Sequence, residues 1–84
     1  MSVAMPMRVD GGKLRELRNE AELSQEQLAR RARVSHMTIH RLESGTTLLA
    51  REVTIWAIAM ALGVDATDLL ATGQNPDTLP GAGY

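Results

Sequence analysis

Only two residues, Arg33 and Val34, separate two stretches that each open with a helix-start signal. Ser24 stands three residues before Gln27, the spacing of a capping box, and Ser35 is placed to cap the stretch that follows. A connection this short cannot return the chain antiparallel with both apolar faces buried, so the two helices must cross steeply. The earlier helix turns Leu28, Ala29 and Ala32 inward, and Ala29 is small where the pair must touch. Val34 plugs the turn. The later helix runs from His36 to about Ser44, anchors itself through Ile39 and Leu42, and stops at Gly45, where a left-handed residue is cheapest. Its other face carries His36, Met37, His40 and Arg41. A helix about 10–12 Å wide with one free face fits the major groove of duplex DNA.

The flanking segments show the same helical spacing. Asp10 can cap a helix with Leu14, Leu17 and Ala21 at i, i+3 and i+7. A fourth helix over about residues 51–62 places Ile55, Ile58, Ala59 and Leu62 on one face, and Gly63 ends it. Asp65 caps a short fifth helix with Leu69 and Leu70. No segment alternates with period two over a useful length, so strands are not expected. The expected fold is all-α, a five-helix orthogonal bundle. Residues 10–71 form the domain, 1–9 read as a flexible N-terminal arm around Pro6, and 72–84, rich in Gly, Pro and small polar residues, read as a flexible tail.

Composition narrows the function. The 84 residues suffice for one small domain with an aliphatic core, because aromatics make up only 2%. With no cysteine there is no disulfide framework, thiolate metal site or thiol nucleophile. The longest apolar run, residues 55–62, is too short to span a membrane, and residues 1–7 lack the basic start of a secretory signal, so a cytoplasmic protein is expected. Residues 1–41 hold eight basic and five acidic residues, net +3. Residues 42–84 hold one basic and five acidic residues, net −4, which together gives the overall −1. A basic half permits a polyanion partner without demanding one. No nucleophile–base–acid set and no phosphate-binding loop is legible, so neither an enzyme nor a cofactor is expected. His36 and His40, with Glu43 beyond, have a metal-compatible spacing but no further ligand, and no metal is expected.

Taken in order, Leu14-Arg15-Glu16-Leu17-Arg18, Leu23-Ser24-Gln25-Glu26-Gln27-Leu28-Ala29, Val34-Ser35, Ile39-His40-Arg41-Leu42-Glu43-Ser44-Gly45, Ala59-Met60-Ala61-Leu62-Gly63-Val64 and Leu69-Leu70 resemble the Cro/CI-type (XRE, lambda-repressor-like) helix-turn-helix family. The resemblance covers residues 10–71 without a gap. It implies a DNA-binding transcriptional regulator, usually a dimer on a palindromic operator. Carried over, the base-reading positions fall on His36, Met37 and Arg41, with His40 on the same face. Phosphate contacts fall on Gln25, Ser35 and the loop after Gly45, where Thr46 and Thr47 stand, and Arg33 can add one. The resemblance also implies an ion pair between Arg18 and Glu43 that locks the recognition helix to the scaffold.

Two departures stand out. Arg33 occupies a turn position that is often glycine, and the loop after the recognition helix carries Leu48 and Leu49 where basic residues are common. Arg30, Arg31 and Arg33 read first as a solvated helix end that complements its dipole. Trp56 and Met60 at i, i+4 read as core edge or as a dimer surface with Leu48, Leu49 or Leu70. A homodimer, weak in solution, is expected. Two other functions fit the same residues. One is an antitoxin or protein-interaction module that grips its partner through the C-terminal half and the tail; the other is a metal-responsive regulator acting through His36 and His40.

Overall fold

A computed structural model describes residues 6–71. It holds four α-helices: α1 (Gly11–Glu20), α2 (Gln25–Ala32), α3 (His36–Ser44) and α4 (Glu52–Leu62). The segment expected as a fifth helix is instead a 3-10 turn over Ala66–Leu69. Its bonds run i→i+3, from the Asp68 N–H to Asp65 O at 2.9 Å and from the Leu70 N–H to Thr67 O at 3.2 Å, the tighter pattern that chains use in short pieces. Two short strands are also present, β1 (Pro6–Arg8) and β2 (Leu49–Arg51).

The strands correct the expectation of a purely helical chain and of a loose arm reaching residue 9. They pair antiparallel with Met7 opposite Ala50, and Pro6 sits at the strand start, where its missing N–H costs least. Val9 is buried, and its N–H donates to the Leu48 carbonyl at 2.9 Å. The Asp10 N–H donates to Leu69 O at 2.9 Å, and the Ala71 N–H to Arg8 O at 3.0 Å. The first described residues are thus stitched between β2 and the last ones. The expected tail, residues 72–84, and residues 1–5 of the arm lie outside the described residues.

The starts of α1, α2 and α3 are satisfied by local side chains, whereas α4 opens after Arg51 without a side-chain cap. Asp10 Oδ1 accepts from the Lys13 N–H, Ser24 and Gln27 close a reciprocal capping box, and Ser35 Oγ accepts from the Thr38 N–H. Gly45 and Gly63 end α3 and α4 with positive φ. The turn between α2 and α3 needs the same conformation at Arg33, where φ is +60°, and Glu22 adopts it after α1. A side chain held there costs on the order of 1 kcal/mol.

The core is aliphatic. Leu14, Leu28, Ile39, Leu42, Ile55, Ile58 and Leu69 are fully buried. The helix α2 packs against both α3 and α4, and α1 lies over α3. Leu17, Leu62 and Leu70, expected inside, are only partly buried, and Ala21 is exposed at the end of α1. Gly11 has a packing role beyond opening a helix. A Cβ built on it would lie 2.2 Å from the Leu42 carbonyl oxygen and 3.0 Å from that of Glu43. The start of α1 therefore rests directly on the backbone at the end of α3.

Gly11→Ala should lower stability by at least about 2 kcal/mol, because both clashing atoms are main chain. Gly12→Ala, whose Cβ would meet only the Asp10 carboxylate at 3.4 Å, should be neutral or gain up to about 1 kcal/mol from helix propensity. Paired thermal and urea melts of the two variants check both values.

Candidate nucleic-acid interface

The recognition rod is α3. Ile39 and Leu42 are sealed into the core on one side. His36, Met37, His40 and Arg41 are all exposed on the other, with Met37 about half accessible. The structure therefore brings together the four side chains assigned to base contact. A groove of about 250 Å³ runs beside them, lined among others by Met37, Thr38, Arg41, Thr47, Leu49 and Thr54. Met37 supplies only apolar contact there, suited to a thymine methyl. Arg41 is the one cation in that lining among the described residues, and its guanidinium can donate two parallel hydrogen bonds.

The residues assigned to phosphate contact surround this face with their side chains in varied states. Ser35 Oγ caps α3 and lies 2.8 Å from Thr38 Oγ1. Thr46 Oγ1 pairs with Ser44 Oγ at 2.9 Å. Thr47 is half-buried and closes the loop, its N–H donating to Arg41 O at 3.1 Å. Arg33 is exposed in the turn. Gln25 heads α2, but its side chain turns inward. Its Nε2 donates to Glu43 Oε1 at 3.0 Å, and its Oε1 lies 3.3 Å from His36 Nε2.

Glu43 fastens α3 to α1. Its side chain has no solvent exposure, and it accepts from Arg18 Nε at 2.5 Å and from Arg18 Nη2 at 2.9 Å. Arg18 Nη1 donates to the Leu23 carbonyl at 2.8 Å, which ties the α1–α2 turn into the same cluster. Arg15 Nε adds a longer contact at 3.4 Å. Sequence reasoning passed over Arg15 and the inward bond of Gln25. The one available signal was the i, i+3 spacing of Arg15 and Arg18 on α1, which puts both cations on one side of that helix. Burial pushes the Glu43 carboxyl up, yet the hydrogen bonds from Arg18 and Gln25, the Arg18 charge and the Arg15 contact outweigh it and hold the group below the ordinary carboxylate range. The bond to Glu43 in turn raises the Arg18 guanidinium against the effect of its own burial.

With Glu43 taken up in this way, the spacing of His36, His40 and Glu43 does not converge on a metal. Among the described residues no group of three or more His, Cys, Asp or Glu is placed to hold one. Among the same residues no helix is long and apolar enough to cross a membrane.

The apolar residues after α3 face outward. Leu48 and Leu49 are about half exposed. On α4, Val53, Trp56 and Met60 are 63%, 56% and 75% exposed, so Trp56 and Met60 are not core edge. That helix is apolar on both sides, the inner one formed by Ile55, Ile58 and Ala59.

A family model described as a helix-turn-helix domain matches residues 11–72. Among solved structures, the restriction-modification controller protein C.AhdI from Aeromonas hydrophila is 33% identical, with a TM-score of 0.66 over 71% of this chain and 89% of that one. The chain belongs to the helix-turn-helix family, in its XRE or Cro/CI-like branch. The master regulator for biofilm formation SinR, solved in complex with DNA, shares the fold at a TM-score of 0.70 and 21% identity, over 73% of this chain and all of that one. A hydroxyethylphosphonate dioxygenase contains a similar unit, with 26% identity and a TM-score of 0.67. The match takes in 82% of this chain but only 15% of the dioxygenase. No curated relative matches the chain.

The sign of the Glu43 shift sets a pH dependence. A depressed folded-state value contributes stability that is fully present above the unfolded carboxylate range and is lost as pH falls through the folded value. The native melting temperature should therefore drop on acidification more steeply than that of Glu43→Gln. At neutral pH Glu43→Gln should cost about 3 kcal/mol, since it leaves the Arg18 charge buried against a neutral group. Calorimetry of both proteins across the acid range measures the two effects together. Equal stability at neutral pH would remove Glu43 from its structural role.

Proposed function

We propose that the chain is a sequence-specific, double-stranded DNA-binding transcriptional regulator, acting as a repressor in the cytoplasm at the nucleoid. One observation carries this reading: α3 is gripped along Ile39 and Leu42 while His36, Met37, His40 and Arg41 all stand free on its opposite side. The family membership and the C.AhdI likeness support it. In this reading α3 enters the major groove and α2 crosses the backbone. Arg41 takes guanine O6 and N7, Met37 a thymine methyl, and His36 and His40 the flanking base edges. Phosphates fall to Ser35, Thr46, Thr47 and Arg33. Gln25 serves them through its main-chain N–H at the start of α2, where the helix dipole favours an anion. The match to a small part of a dioxygenase brings no reacting group to this chain, and the reading is of a binding protein without enzymatic activity or cofactor.

The partner on DNA is a second copy, with two protomers about 10 base pairs apart on one face of a palindromic operator. Val53, Trp56 and Met60 form the outward stripe of α4 that would pair them. Three side chains amount to less than the roughly 800 Å² per partner of a standard interface, so the dimer is weak in solution and favoured on DNA. The same exposed stripe, with Leu48 and Leu49, supports the second reading, an antitoxin-like module gripping another protein.

Selection of bound duplexes from a random pool at two ionic strengths tests the main reading. A symmetric site whose affinity falls steeply with salt is expected. Arg41→Ala should keep the fold and lose about 1–3 kcal/mol of preference at one base pair of each half-site; an unchanged preference pattern would place the reading face elsewhere.

Trp56→Glu should leave the melting temperature nearly unchanged while abolishing the dimer in sedimentation experiments and the cooperativity of operator binding. Duplex affinity that is absent or insensitive to salt, together with a co-purifying protein lost in Trp56→Glu, would favour the second reading.

A further inference from the structure

The Gln25 side chain is engaged at both ends, toward Glu43 through Nε2 and toward His36 through Oε1. Glu43, bonded twice by Arg18, is a carboxylate and can only accept. The amide group of Gln25 must therefore face Glu43, and its carbonyl must face His36. A carbonyl oxygen also only accepts, so His36 Nε2 has to carry a hydrogen. That leaves Nδ1 as the variable nitrogen of an exposed ring: a lone pair in neutral imidazole, an N–H in imidazolium.

We propose that His36 is a specificity-determining residue whose hydrogen-bonding polarity is set by the buried Arg18–Glu43 pair through Gln25. Neutral His36 presents Nδ1 as an acceptor for an exocyclic amino group, adenine N6 or cytosine N4. Charged His36 presents Nδ1–H to guanine O6 or a purine N7. The protonation state of His36 thus decides which base edge that one position reads. This rests on the DNA-binding reading above and deepens it. Gln25 and Glu43 act as positioning residues. The charged and titratable groups around the ring are Glu43 behind Gln25, Arg18 and Arg15 of α1 on that carboxylate, Arg33 in the preceding turn and His40 one helical turn on. Arg18 already neutralises Glu43, so the remaining freedom lies at Nδ1.

Nitrogen-15 NMR of the free protein reads the tautomer directly. A larger Nε2–H share than that of His40 is expected for His36 at about pH 8, and this excess should vanish in Gln25→Met. The Nδ1–H form in the native protein would overturn the proposal without any need for the variant. Duplex selection in a His40→Gln background, at about pH 5.5 and about pH 8, should change the preferred base at one position of each half-site by about fivefold, the worth of one hydrogen bond. In His36→Gln, which can donate to Gln25 and still offer its own carbonyl, that position should keep a single preference at both pH values. An Nε2–H tautomer with one unchanging base preference in the His36 protein overturns the specificity role alone. The absence of sequence-selective binding at both pH values overturns the DNA-binding reading, and the role with it.

Discussion

A carboxylate shut away from water has to be surrounded by donors, and around Glu43 those donors come from two other helices. Arg18 supplies two hydrogen bonds and Arg15 a third contact from α1, and Gln25 supplies one from α2. Arg18 also holds the Leu23 carbonyl in the turn between those helices. Removing water from two ions costs several kcal/mol each, and their attraction offsets this only when geometry and hydrogen bonding are good. The net gain over a pair of well-packed hydrophobes is small. What the cluster supplies is direction. Leucine and isoleucine contacts tolerate small slips of one helix over another, whereas a forked guanidinium on a carboxylate does not. The outer face of α3 inherits its bearing from this arrangement.

The opposite half of the molecule is built with less polarity. Its core is made of leucine, isoleucine, valine and alanine, and in a domain this small the margin above unfolding is narrow. Main-chain ties make up part of the difference. The extended residues before α1 bond to Leu48 on one side and to Leu69 and Ala71 on the other, so the first and last described residues brace the same edge. At the junction of α1 and α3, packing is tight enough that only glycine fits at position 11.

Much of this was legible beforehand because it is written in local chemistry. Ser24 with Gln27, Ser35, Asp10, Gly45 and Gly63 mark helix ends through hydrogen bonds that need no distant partner, and the inward stripes Leu28, Ala29, Ala32 and Ile39, Leu42 follow from helical period alone. The Arg18–Glu43 pair came from family resemblance, since nothing in the spacing of two residues so far apart reveals that they meet. What escaped was non-local. Three-residue strands are too short to display alternation, and Val9 becomes buried and Met7 partly so only because β2 and the last described residues arrive beside them. Gly11 carries no local signal, because the Leu42 carbonyl that requires it lies on another element. The outward stripe of α4 was ambiguous for a similar reason: apolar residues all round a helix have the same signature whether a core or a partner covers them.

The bond from the Ala71 amide to the Arg8 carbonyl means that the polypeptide enters and leaves this module at one spot. A unit with neighbouring ends can be spliced into a loop of a larger protein without stretching the host, and joined to itself by a short bridge without unwinding. It also crowds whatever is attached: chain leading into residue 6 and chain leading out of residue 71 must share the same doorway.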